Sequence, residues 1–279
     1  KTFNHGYLAV DFFFLLSGFV INYAYNDRWK EMTTASFFKR RLIRLHPMLI
    51  MGAFIGLICF LIGGSEQWNG TKIPLYVSII TFLLTCLMIP ALPGSFNEIR
   101  GNGELFPLNG PMWSLFFEYI GNILYAIFIR RLSTKLLIFV VILLGILHSI
   151  FTIGNLSGYG NLGVGWTFDT INFFGGMLRM LFPFTLGMLI SRRFKAIKLP
   201  YPFLICSILL IATLSMPYLS AFKAINFNGI YESFCITVIF PLILIIGASS
   251  QEKSKLSQTL GELSYPLYII HYPIMYIFY

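Results

Sequence analysis

The chain has 279 residues, 57% of them hydrophobic and 11% charged, with a mean hydropathy of +0.76. An ordinary globular domain carries roughly 25% charged residues, so a soluble fold is excluded. The net charge of +9, from 20 Lys and Arg against 11 Asp and Glu, does not point to nucleic acid, because the cations form short clusters between apolar runs, the pattern that orients membrane spans.

Apolar stretches of about 20 residues, long enough to span a bilayer, fall near 7–25, 48–64, 74–92, 111–129, 136–153, 171–191, 201–219, 231–249 and 262–279. They predict an all-α, polytopic transmembrane helical bundle of eight or nine apolar segments. No internal repeat, low-complexity tract or linker divides it, so residues 1–279 read as one domain. Basic clusters at 39–44, 130–135, 192–198 and 253–255 mark loops expected to face the cytoplasm. Three apolar segments separate Arg44 from Arg130, yet two cytoplasmic loops must be joined by an even number of crossings. The segment expected not to cross is 74–92, bracketed by Pro74, Pro90 and Pro93. Cys59, Cys86, Cys206 and Cys235 all lie in apolar runs without metal-ligand spacing, so they read as inert small hydrophobes and no metal site is expected.

Asp11 is the residue that composition does not explain. It lies inside an apolar run, where an ionisable group costs roughly 2.5–3.5 kcal/mol to insert and persists where it faces a bundle interior. Arg41 and Arg44 are three apart and share a helix face; they read either as an orientation anchor or as a phosphate clamp, since a guanidinium fork binds phosphate oxygens two at a time. Pro111-Met112-Trp113-Ser114 opens another apolar run, with Glu118 four residues after Ser114 on the same face. The carboxylate of Glu118 is either a reacting group at membrane depth or a partner for a hydroxyl on a neighbouring helix. Ser264, Tyr268 and His271 recur at i, i+4 and i+7 and form a polar stripe on one helix. Arg179 is a cation in an apolar run, available to Asp11 or Glu118. His148 reads as a satisfied or lipid-edge histidine, and His5 as a solvated one. The chain opens in a short polar stretch at Lys1 and stops in an apolar run at Tyr279, which reads as a fragment cut at both ends.

Four motifs, Gly6-Tyr-Leu-Ala-Val-Asp11 with Ser17-Gly18, Arg41-Leu-Ile-Arg44-Leu-His-Pro47, Trp113-Ser114-Leu with Glu118, and Ser264-Tyr265 with Tyr268 and His271, together resemble the acyltransferase family 3 of integral membrane proteins. The resemblance implies transfer of an acyl group, often acetyl, from cytoplasmic acyl-CoA to a hydroxyl of a carbohydrate or exported glycan, at the bacterial inner membrane. The donor would be a substrate, with no permanently bound cofactor, and the partners would be the lipid bilayer and a carbohydrate or glycolipid acceptor. On this resemblance Arg41 and Arg44 hold the CoA phosphates, and Asp11, Ser17, Trp113, Ser114, Glu118 and His271 line the cavity where donor and acceptor meet. The family's catalytic histidine is expected on a helix preceding Lys1, with a further helix after Tyr279. The rival reading is a secondary transporter, which would also use buried carboxylates and polar stripes, although the internal repeat of many carriers is missing here.

Overall fold

The fold is given by a computed structural model that describes residues 3–219, 226–250 and 255–278. Its α-helices are α1 (Ala9–Tyr25), α2 (Thr34–Ile62), α3 (Leu75–Cys86), α4 (Met112–Ile127), α5 (Thr134–Ile153), α6 (Thr170–Arg193), α7 (Pro202–Ser215), α8 (Phe227–Phe234), α9 (Phe240–Ala248) and α10 (Lys255–Met275). A π-helical segment, Cys235–Ile239, joins α8 to α9. Among the described residues six helical stretches are long and apolar enough to cross a membrane: Gly6–Tyr25, Thr34–Ile62, Met112–Arg131, Thr134–Ile153, Thr170–Arg193 and Phe227–Ala248. The protein is an all-α integral membrane bundle.

Three elements depart from the expected boundaries. Helix α2 begins at Thr34 rather than near 48, because the Thr33 hydroxyl accepts the Ser36 N–H and caps the first turn. The basic cluster at 39–44 therefore lies on a helix and not in a loop. Helix α3 has 12 residues, about 18 Å at 1.5 Å per residue, short of the roughly 30 Å hydrocarbon core. Between Arg44 and Arg130, α2 and α4 are among the stretches long and apolar enough to cross, and α3 is not. Helix α7 is also short, at 14 residues. The chain before it is tied down where the Ile197 N–H donates to Ser249 Oγ, and near its end Leu214 O accepts the His5 N–H.

The chain forms two compact units. The first holds α1, α4 from Glu118 onward, α5, α6 from Phe174 onward, α7, α8 and α9. In it α1 and α6 run parallel and touch through glycines. A Cβ on Gly18 would lie 1.9 Å from Phe184 O, and one on Gly187 would lie 2.0 Å from Leu15 O. Small residues let membrane helices approach closely where no hydrophobic drive exists between them. Gly18→Val is expected to cost about 1–3 kcal/mol or more by overpacking against a rigid carbonyl, read as a lower unfolding midpoint in detergent. Gly261→Ala is the control. No atom lies within 4 Å of its added methyl, so stability should hold or rise.

The second unit holds α2, α3, the start of α4, residues 165–173 and α10. Leu57, Phe60, Val77, Ile99 and Leu108 form its core between α2, α3 and the irregular chain before α4. Helix α10 packs on α2 where a Cβ on Gly52 would meet Ile269 Cγ2 at 2.2 Å. Pro273 has no N–H to offer Ile269 O, and Asn109 Nδ2 donates to that carbonyl at 2.8 Å instead. A side-chain donor thus takes the place of the missing backbone one inside the helix.

Candidate functional site

Asp11 and Arg179 form a two-pronged ion pair in the first unit. Arg179 Nε donates to Asp11 Oδ1 at 3.1 Å and Nη2 to Oδ2 at 2.7 Å. The two side chains are 0% and 1% exposed. Arg179 also donates to Val164 O at 2.7 Å and Tyr7 O at 2.9 Å. Of the two carboxylates within reach of the sequence argument, Arg179 takes Asp11. Both Asp11 oxygens are thereby engaged, and the pair ties α1 to α6.

Glu118 differs in kind. It is half-buried, and Ser17 Oγ donates to its Oε1 at 2.9 Å. The Asn122 amide, one turn on, donates to the Glu118 backbone carbonyl at 2.8 Å. Ser17 and Glu118 thus form one hydrogen-bonded pair joining α1 to α4, and Ser17 sets the orientation of a carboxylate that retains access from outside the unit's core.

Ser114, Trp113, His271, Arg41 and Arg44 belong to the second unit. Ser114 Oγ lies 2.6 Å from Tyr268 OH, and both hydroxyls reach Pro111 O, at 3.0 and 3.1 Å. One turn along α10, His271 Nδ1 lies 2.7 Å from Tyr268 O. A carbonyl oxygen only accepts, so Nδ1 carries a hydrogen, and Nε2 is the ring nitrogen left to meet a ligand. Trp113 is held by packing. Its ring would meet a Cβ on Gly165 at 2.5 Å, and Gly165 has φ +114°, a conformation that only glycine adopts readily. Ser264 of the expected stripe is exposed and donates to Gly261 O.

Arg41 and Arg44 share a helix but not an environment. Arg41 is 3% exposed, on the buried stripe with Phe37 and Leu45, whereas Arg44 is exposed. Three residues turn a helix by about 300°, and the remaining 60° is enough to carry one side chain inward and the other outward.

A family model described as an acyltransferase domain, that of acyltransferase family 3, matches residues 1–279. The chain belongs to this family. It is a membrane acyltransferase, transferring groups other than aminoacyl groups. It is 36% identical over 138 residues to "Protein 2 in picA locus" of Rhizobium radiobacter, covering 46% of this chain and 69% of that protein. No solved structure matches.

Several polar groups of the acyltransferase lie where the sequence gives weak signals. Glu232 is 0% exposed and accepts the Tyr7 hydroxyl, extending the Asp11–Arg179 pair through Tyr7 into a four-residue chain in the first unit. It precedes the π-helical segment by two residues, the kind of helix irregularity that often marks working sites. His148, expected to be satisfied or at the lipid edge, is 0% exposed with no hydrogen bond to either ring nitrogen among the described residues. His5 is not solvated. It is 0% exposed, its Nδ1 lies 2.8 Å from Met216 O, and the rings of Tyr218 and Tyr231 are 4.9 and 5.0 Å away. The chain after α7 covers it. In the second unit the Arg100 guanidinium lies over Tyr276 at 4.2 Å and Phe60 at 4.8 Å. Nearby Glu104 accepts from Tyr276 OH at 2.7 Å and Asn102 Nδ2 at 3.0 Å. Burial pushes the Glu104 carboxyl above the usual carboxylate range, against the pull of those two hydrogen bonds.

Proposed function

We propose that this acyltransferase moves an acyl group of acetyl size from cytoplasmic acyl-CoA to a hydroxyl of a carbohydrate acceptor, at the bacterial inner membrane. The observation that carries the site is the cluster of Ser114, Tyr268 and His271, in which the tautomer of His271 is set by the Tyr268 carbonyl and leaves Nε2 as the proton acceptor. Acyl transfer needs a base for the attacking hydroxyl and donors for the oxyanion of the thioester carbonyl. His271 Nε2 takes the hydroxyl proton, the acceptor oxygen bonds to the thioester carbon, and the C–S bond breaks to release CoA, whose sulfur takes up a proton. Ser114 or Tyr268 turns its one hydroxyl hydrogen from Pro111 O to the oxyanion. In the first unit the Glu118 carboxylate, oriented by Ser17, accepts from a hydroxyl of the carbohydrate. The buried Asp11–Arg179 pair holds the helix that carries Ser17, and Trp113 holds the start of α4.

The donor reading is tested with purified protein given acetyl-CoA and a long-chain acyl-CoA in competition. Acetylated carbohydrate is the expected product, and exclusive use of the long chain would overturn the acetyl assignment.

Arg41 and Arg44 are assigned to the donor phosphates. Changing either to Ala is expected to lower acyl transfer at least tenfold with membrane abundance unchanged, and Lys should rescue poorly because it lacks the planar fork. Arg44→Ala is the cleaner variant, since its side chain is exposed and Arg41 is packed. Full activity of the double Arg→Lys variant would remove the clamp.

A further inference from the structure

The basic clusters at 130–135 and 192–198, which orientation alone accounts for in the sequence, come together in the first unit around a cavity of about 770 Å³. Its wall is polar: Asn22, Tyr23, Arg130, Ser133, Ser191 and Arg192 all contribute. The volume falls within the roughly 300–1,000 Å³ of small-molecule sites and is far larger than a single phosphate needs.

Both guanidinium groups are held in place without being used up. Arg130 lies 3.9 Å over the Trp29 ring and donates Nε to Ala126 O at 2.7 Å. Arg192 donates to Leu132 O at 2.7 Å and Arg130 O at 3.4 Å. Each guanidinium carries five N–H donors, so both keep donors in reserve. The carboxylate in the wall, Asp27, is engaged by Asn26 Nδ2 at 3.1 Å. Ser133 is the N-cap of α5, and the cavity therefore also meets the positive end of a 20-residue helix. These features favour an anion.

A second observation narrows the ligand. Asn22 is 3% exposed, and its Nδ2 donates to Ser191 Oγ at 3.1 Å, yet its Oδ1 accepts no hydrogen bond among the described residues. That acceptor is enclosed in the wall, so a ligand meets it once the Asn22 amide turns outward, and it then calls for a donor, which a bare phosphate at neutral pH does not offer well. Tyr23 at the rim is 70% exposed, and its ring can stack on a base.

We propose that this cavity binds the nucleotide end of the acyl-CoA donor. Phosphate oxygens sit on Arg130, Arg192 and the N-terminus of α5, a ribose hydroxyl or base amine donates to Asn22 Oδ1, and the base stacks on Tyr23. The site rests on the acyl-CoA reading. The positive-inside rule places it on the side of the membrane where acyl-CoA is found.

Equilibrium binding of CoA and of pantetheine to the purified protein in nanodiscs tests the proposal, with Arg192→Gln, Asn22→Asp and Tyr23→Ala as variants. CoA affinity is expected to fall at least tenfold in the first two and at least fivefold in Tyr23→Ala, with pantetheine binding unchanged. Tyr23 is exposed, so its variant folds even where that of the buried Asn22 or the half-buried Arg192 fails. Unchanged CoA affinity in Tyr23→Ala and in a folded Arg192→Gln would overturn the site while leaving the donor intact. No CoA binding by the unaltered protein would instead remove the donor reading. Nanodiscs with and without phosphatidylglycerol separate the other source of phosphate: loss of lipid binding in the variants with CoA binding retained would assign the cavity to a lipid headgroup and overturn the proposal.

Discussion

Asp11→Asn is expected to destabilise the protein by about 3–5 kcal/mol, because it leaves Arg179 charged, buried and without a counter-ion. The two carbonyls of Val164 and Tyr7 that Arg179 also meets cannot replace a carboxylate, since they neutralise no charge. Arg179→Met should cost a similar amount for the mirror reason. Replacing both, as Asp11→Leu with Arg179→Met, should recover most of the loss, since an apolar pair of similar volume often matches a buried ion pair. Thermal unfolding of the three variants in detergent checks this. Additive losses in the double variant would show that the two groups do not stabilise as a pair.

The second large effect is on rate. Glu118→Gln should keep the fold, because the half-buried amide still accepts from Ser17, but acyl transfer should fall at least tenfold, about 1.4 kcal/mol in the barrier. The loss should appear in kcat/KM with the unfolding midpoint unchanged. A structural Glu118 predicts the reverse, an unchanged rate with altered stability, and that outcome would remove it from the site.

Much of this architecture was legible in the order of residues, and the limits of that legibility have physical causes. Asp11 stands out because a charge in an apolar run has no bland explanation, but its partner is 168 positions away and no periodicity points to it. Glu232 carries the same signal as Asp11, muted because it falls at the edge of its apolar run instead of inside it. The start of α2 was hidden because charges on the first turns of a long helix look like a loop until the Thr33 cap is seen. His5 reads as solvated from its neighbours in sequence, and its burial comes from the chain after α7. The pairing of Arg41 with Arg44 by spacing was sound as helix geometry but did not foresee that 60° separates a buried side chain from an exposed one. Two basic clusters read as orientation signals proved to border a cavity, which spacing within either cluster could not reveal.

The central claim is covalent transfer of an acyl group from a cytoplasmic thioester to a carbohydrate hydroxyl, and labelled acetyl-CoA tests it most directly. Membrane vesicles containing the complete protein are incubated with acetyl-CoA labelled in its acetyl group, and the label is followed into carbohydrate. The account predicts label covalently attached to carbohydrate as an ester, lost in His271→Gln and Glu118→Gln vesicles of equal protein content. Label that crosses the membrane or stays on CoA, with none covalently attached to carbohydrate, would contradict it.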